Sequence, residues 1–196
     1  DHGWLNANHS FSFANYYNPE RMNFDALRVL NDDTIATGMG FGTHPYENME
    51  IITIPLTGDL KHKDSMGNIG TINEGEIQVM SAGIGEYHSE YNNNCDNPIN
   101  LIQLWVFPNK HDVETRYDQK SLRKFKKNNN FYKMLYPDKD NDAVWIHQDA
   151  WFHLGDFEEP TVIEHEIKKE GNSLYVFVIE GGFKVGDQEL NKRDAF

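Results

Sequence analysis

Apolar and polar residues alternate along most of this chain in short runs broken by Gly, Asn and Asp. A period of two marks a strand with one buried face. The run Ser10-Phe-Ser-Phe-Ala14 alternates in this way, and Asn18-Pro19-Glu20 follows as a turn. Residues 27–30 read as a strand that stops at the turn residues Asn31-Asp-Asp33. Residues 49–56 run to Thr57-Gly58-Asp59, and 59–63 run into the turn Asp64-Ser-Met-Gly67-Asn. Further strands are predicted at 70–72, 77–81 and 100–107. No helical period is convincing. Short strands at this spacing predict an all-β sandwich or barrel. Closure into a barrel removes exposed edges and leaves a cavity at its mouth.

Residues 108–142 change character. They open with Pro108, close with Pro137-Asp-Lys-Asp-Asn-Asp142 and are polar and charged throughout, with room for one helical turn near 122–127. They read as a crossing segment between two units, 1–107 and 143–196. The β pattern resumes at 143–147, 151–154, 161–168 and 173–179, then at 183–185 after Gly181-Gly182. Four or five strands are few for a closed barrel, so the second unit is expected to be incomplete.

Composition narrows the function classes. At 196 residues, 38% hydrophobic and 13% aromatic, the chain can bury a substantial core. No apolar run approaches the roughly 20 residues of a membrane span. A net charge of −13 repels phosphate backbones, which argues against direct nucleic-acid binding. The local exception, Lys120-Ser-Leu-Arg-Lys-Phe-Lys-Lys127, reads as a solvated segment. One cysteine, Cys95, permits no internal disulfide and fits a reducing cytoplasm. The chain opens at Asp1 without a signal-like apolar segment.

Candidate chemistry concentrates in residues 38–90. His44 and Tyr46 lie two apart on one extended stretch, and His88 and Glu90 on another. Each pair therefore projects to one face. Imidazole nitrogen and carboxylate oxygen are ordinary ligands of divalent transition metals. Two histidines and one carboxylate with open positions is the donor set of many non-haem iron oxygenases. Glu50, on the same alternation as His44 and Tyr46, is either a further ligand or a buried carboxylate supporting a ligand histidine. His62 is expected to hydrogen-bond the turn that follows it rather than to ligate. His2, His9, His111, His147, His153 and His165 show no paired spacing. No Gly-x-Ser-x-Gly, P-loop or dinucleotide fingerprint is present.

Between His44-Pro-Tyr46 and His88-Ser-Glu90, and in the opening Asp1-His-Gly-Trp-Leu, the chain resembles the pirin family, in particular its bacterial quercetinase-like branch. The resemblance is dense over 1–107 and thin after 120. It implies a bicupin of two jelly-roll-like barrels, with one divalent metal in the first barrel only. Carried over, the four ligands fall on His44, Tyr46, His88 and Glu90. Tyr46 stands where the family has histidine, so it is either a phenolate ligand or a ring lining the pocket. The activity implied is that of a quercetin 2,3-dioxygenase acting on a flavonol-type aromatic with O2, with Glu90 as general base. Iron is the first expectation for the metal; zinc, manganese, nickel, cobalt and copper are alternatives. The resemblance also implies a second reading, a non-catalytic metal-binding regulator of a protein partner. A third is a cupin whose pocket Tyr46 has plugged.

Overall fold

The computed structural model describes residues 3–196; Asp1 and His2, which open the family-like block, lie outside the described residues. The described residues hold fifteen strands and no helix. In chain order they are β1 (Leu5–His9), β2 (Leu27–Ile35), β3 (Gly40–Tyr46), β4 (Glu50–Thr57), β5 (Leu60–Asp64), β6 (Ile69–Ile72), β7 (Glu76–Ser81) and β8 (Glu86–Asn92). There follow β9 (Ile99–Val106), β10 (Arg116–Ser121), β11 (Asn130–Tyr136), β12 (Val144–Trp145), β13 (Phe152–Asp156), β14 (Phe183–Val185) and β15 (Gln188–Leu190).

Two sheets enclose the site. One has the order β1-β2-β9-β4-β7-β10, the other β3-β8-β5-β6. Leu5, Ile35, Ile99 and Leu101 of the first sheet pack on Leu60 and Ile72 of the second. The second sheet keeps strict alternation: Glu86, His88, Glu90 and Asn92 are buried, whereas Tyr87 and Tyr91 are exposed. Its β5 does the same, with Leu60, His62 and Asp64 inside and Lys61 and Lys63 outside. Strands β4, β7 and β9 of the first sheet are buried on both faces. Part of their outer cover is β12, which packs on β7 and β10.

Several sequence expectations change here. The amino-terminal strand is β1, not 10–14: a bridge between Phe13 and Tyr16, with Ala14 at φ 48°, reverses the chain, and Phe11 and Ser12 are buried side by side. Asn31-Asp-Asp33 is no turn but the buried interior of β2. The segment 108–142 carries two strands, β10 on the edge of the first sheet and β11 between β12 and β13. Around 122–127 there are only two i to i+3 turn bonds, Phe125 to Leu122 and Lys126 to Arg123. Residues 161–168 form no strand despite their alternation; Val162 is 98% exposed, so neither face meets a sheet.

The chain divides into two compact units, Asp1–Val162 and Ile163–Phe196. Within the second, β14 and β15 form a hairpin that turns at Gly186, and Val176 and Val178 exchange backbone hydrogen bonds with residues 193–196 around a bridge from Phe177 to Ala195.

Candidate metal centre

Three adjacent strands position the donors. On β8, His88 and Glu90 face inward as the period-two pattern requires. In register, β3 sets His44 against His88 and Phe41 against Glu90, with a bulge between Phe41 and His44. On the other side, β5 sets His62 against Glu90 and Asp64 against His88. The approach of β3 to β8 needs glycine at one point: a Cβ on Gly40 would lie 2.1 Å from the Glu90 carbonyl oxygen.

His44 Nε2 lies 3.0 Å from His88 Nε2 and 3.0 Å from the Tyr46 hydroxyl. The donor atoms of His62, His88 and Glu90 lie within 4.8 Å of one another, and all three side chains are buried. Both oxygens of Glu90 are held, Oε1 by the Thr53 hydroxyl at 3.2 Å and Oε2 by the Gln103 amide at 2.9 Å. Gln103 is in turn oriented by the Trp105 indole N–H at 3.2 Å.

Protonation leaves this arrangement incomplete. His44 Nδ1 lies 2.7 Å from the Gly42 carbonyl and donates to it, which turns Nε2 toward Tyr46 and His88. The Tyr46 phenol is held protonated, because burial and then the Glu90 charge push its pKa upward. It therefore donates to His44 Nε2. Burial brings His88 down to about 4, and the neighbouring His44 and His62 lower it too, against the charges of Glu90 and Asp64. At neutral pH that ring carries one proton, and its Nδ1 is buried with no partner. If the proton is on Nδ1, a lone pair at His88 Nε2 faces His44; if it is on Nε2, a lone pair is stranded at Nδ1. An unprotonated imidazole nitrogen beside a buried carboxylate is what a divalent cation binds. The donor set fits such a cation.

His62 bonds Asp64 Oδ2 at 3.2 Å, and Asp64 accepts two bonds from Asn68 in the turn beyond. That is the structural bond the sequence suggested, yet the same ring also stands among the converging donors. Glu50 stands elsewhere. Asn48 adopts φ 47° after β3, so Glu50 begins a strand of the other sheet instead of sharing the face of Tyr46. Its carboxylate accepts from the Ser81 hydroxyl at 2.7 Å beside Arg116, whose guanidinium lies 3.8 Å from the centre of the Trp145 ring.

Sequence reasoning missed Thr53, Gln103 and Asp33. The first two were detectable: each is a polar residue amid Ile and Leu in a strand buried on both faces. Asp33 was masked by turn-like neighbours. It is 3% exposed, and burial, then the charges of Asp32 and Glu90, push its pKa up to about 7.

The pattern that defines the Pirin family matches residues 1–106. The chain belongs to the pirin family. A second pattern, the quercetinase C-terminal cupin domain, matches residues 134–196, and with the all-β architecture this makes the pirin-family chain a bicupin. Its relatives include a quercetin 2,3-dioxygenase of Escherichia coli K12, 41% identical over 199 residues that cover all of this chain and 83% of the relative. Another is a pirin-like protein of Caulobacter vibrioides, 37% identical, with all of this chain and 84% of the relative covered. Among solved structures, the bacterial pirin YhhW of E. coli in complex with nickel(II) matches with a TM-score of 0.86 at 36% identity, over all of this chain and 82% of that one.

Proposed function

We propose that this pirin-family chain is a metal-dependent dioxygenase of the quercetin 2,3-dioxygenase type, acting on a flavonol-type aromatic in the cytoplasm. The observation that carries the reading is the buried pair His88 and Glu90, the latter with both oxygens already oriented, beside half-buried His44, whose Nε2 lies 3.0 Å from His88 Nε2. His44, His88 and Glu90 hold the metal, and residues 1–107 are the unit that builds this site. Iron is our first assignment, with manganese, nickel, cobalt, copper or zinc as alternatives. Tyr46 lines the pocket as a neutral phenol, and Glu50 takes no part in ligation.

A bound divalent metal supplies Lewis-acid polarisation of substrate oxygens. The remaining steps belong to the chain. Glu90 accepts the proton of the substrate's reactive hydroxyl as general base. Thr53 and Gln103 keep its carboxylate in one orientation for that transfer, so little reorganisation accompanies it. Tyr46 and Trp105, with ring centroids 4.9 Å apart, form an aromatic wall beside His88 that favours a flat ligand and excludes water.

Oxygen uptake with quercetin tests the reading. The reconstituted protein should consume O2, and Glu90→Gln should lose that activity while retaining part of its metal, because an amide keeps the shape but takes no proton. No uptake after loading with iron, manganese, nickel, cobalt or copper would sink the dioxygenase. It would leave a metal-binding regulator whose acidic surface and 120–127 segment meet a protein partner.

A further inference from the structure

A cavity of about 600 Å3 is lined by residues of β1, β2 and β3 and of the turn after β1. That volume is typical of small-molecule sites, about 300–1,000 Å3. Its lining is mostly apolar. Trp4 and Phe41 meet edge to face at 5.6 Å, and Phe13 meets Trp105 in the same way at 5.0 Å. Two polar side chains, His9 and Asp33, interrupt this lining. His9 Nδ1 lies 2.9 Å from the Asn31 side-chain oxygen and donates to it.

Asp33 is the anomaly. Its side chain is buried, and Oδ1 meets no hydrogen-bond donor. Its sequence neighbour differs, since Asp32 Oδ1 accepts from the Asn100 amide at 2.7 Å. A buried polar atom left without a partner costs about 1–3 kcal/mol. The cavity wall therefore carries one carboxyl oxygen that no donor of the protein meets. A ligand that completes it brings hydroxyl protons on an apolar body. The cavity also adjoins the donor cluster: Phe41 stands opposite Glu90 across β3 and β8, and Phe13 connects through Trp105 and Tyr46 to His88.

We propose that Asp33 is the substrate anchor of this cavity: its carboxyl hydrogen-bonds a phenolic hydroxyl of a flat polyhydroxylated aromatic and so selects hydroxylated over unsubstituted rings. The substrate class rests on the dioxygenase reading above; the anchor itself does not require turnover. A site built around a substrate hydroxyl discriminates strongly against the analogue that lacks it, because the buried group is then left unpaired.

The test is calorimetric binding of quercetin and of unsubstituted flavone to metal-loaded wild type, Asp33→Leu and Asp33→Asn, with metal content measured in each. Wild type should prefer quercetin, and Asp33→Leu should bind quercetin roughly 10–100-fold more weakly, because the ligand's hydroxyl is then buried without its partner. Flavone affinity and metal per chain should be unchanged. Equal quercetin affinity in wild type and Asp33→Leu overturns the anchor, whether or not wild type consumes O2. Quercetin bound by wild type and weakened by Asp33→Leu, without O2 uptake, sustains the anchor and overturns the dioxygenase. No quercetin binding by wild type overturns both. If the leucine variant does not fold, Asp33→Asn decides: its preference for quercetin over flavone should fall, and an unchanged preference overturns the anchor.

Discussion

Two histidine–tyrosine pairs among the described residues have the same separation. His44 Nε2 lies 3.0 Å from the Tyr46 hydroxyl in the four-stranded sheet, and His153 Nε2 lies 3.0 Å from the Tyr136 hydroxyl between β13 and β11. The first pair adjoins a second imidazole, His88, and a buried carboxylate, Glu90. Among the described residues, the one group of three acidic or imidazole side chains with converging donor atoms is His62, His88 and Glu90, beside the first pair. A His–Tyr bond is thus no sign of a metal centre. What distinguishes the first pair is the buried imidazole and carboxylate, His88 and Glu90, packed beside it.

The comparison breaks most sharply by truncation. His88→Ala should abolish stoichiometric metal while the β-sheet circular dichroism persists, and His153→Ala should keep full metal. Equal metal content in the two variants would erase the distinction drawn between the pairs.

Acid crowding at the first site sharpens it next. Asp33 has a folded-state pKa raised to about 7 from 3.8, so between those values the folded state binds more protons than the unfolded one. Stability of the metal-free protein should therefore fall as pH rises from about 4 to 7, by up to roughly 4 kcal/mol. Asp33→Asn should flatten that decline, read as Tm against pH; parallel curves for the two proteins would contradict it.

Smaller effects come from the groups that orient Glu90. Thr53→Val and Gln103→Leu should each weaken metal affinity about 10–100-fold by chelator competition, since neither touches the metal directly. Undiminished affinity in both would mean that the two bonds only fill space.

The mildest change is Tyr46→His, which places a third imidazole beside His44 and His88. Divalent metal should bind more tightly, by about tenfold as a first estimate. Iron-loaded native protein should show no visible phenolate charge-transfer band, because the phenol stays protonated. A band that disappears in Tyr46→His would make Tyr46 a ligand instead.

Much of the site was legible because the relevant signals are local. His88 and Glu90 face inward as a consequence of period two, and Tyr46 stood out as a departure from the family's histidine. Glu50 was misjudged because counting residues assumes an unbroken strand, whereas Asn48 turns the chain between sheets. Asp33 was misjudged for the opposite reason: Asn-Asp-Asp is turn chemistry in isolation, but here it is held extended by β1 on one side and β9 on the other. Residues 161–168 show the converse, a clear alternation with no sheet to receive it.

By itself, the sequence determined the all-β class, the family and the inward facing of His88 and Glu90, since alternation and motif spacing are properties of a few consecutive residues. Only the tertiary structure decided that His44 meets His88 and that Thr53 and Gln103 hold Glu90. It alone placed Asp33 on the wall of an aromatic cavity with one carboxyl oxygen unpartnered. Those facts depend on strand register between segments tens of residues apart, where a one-residue slip would turn every inward group outward.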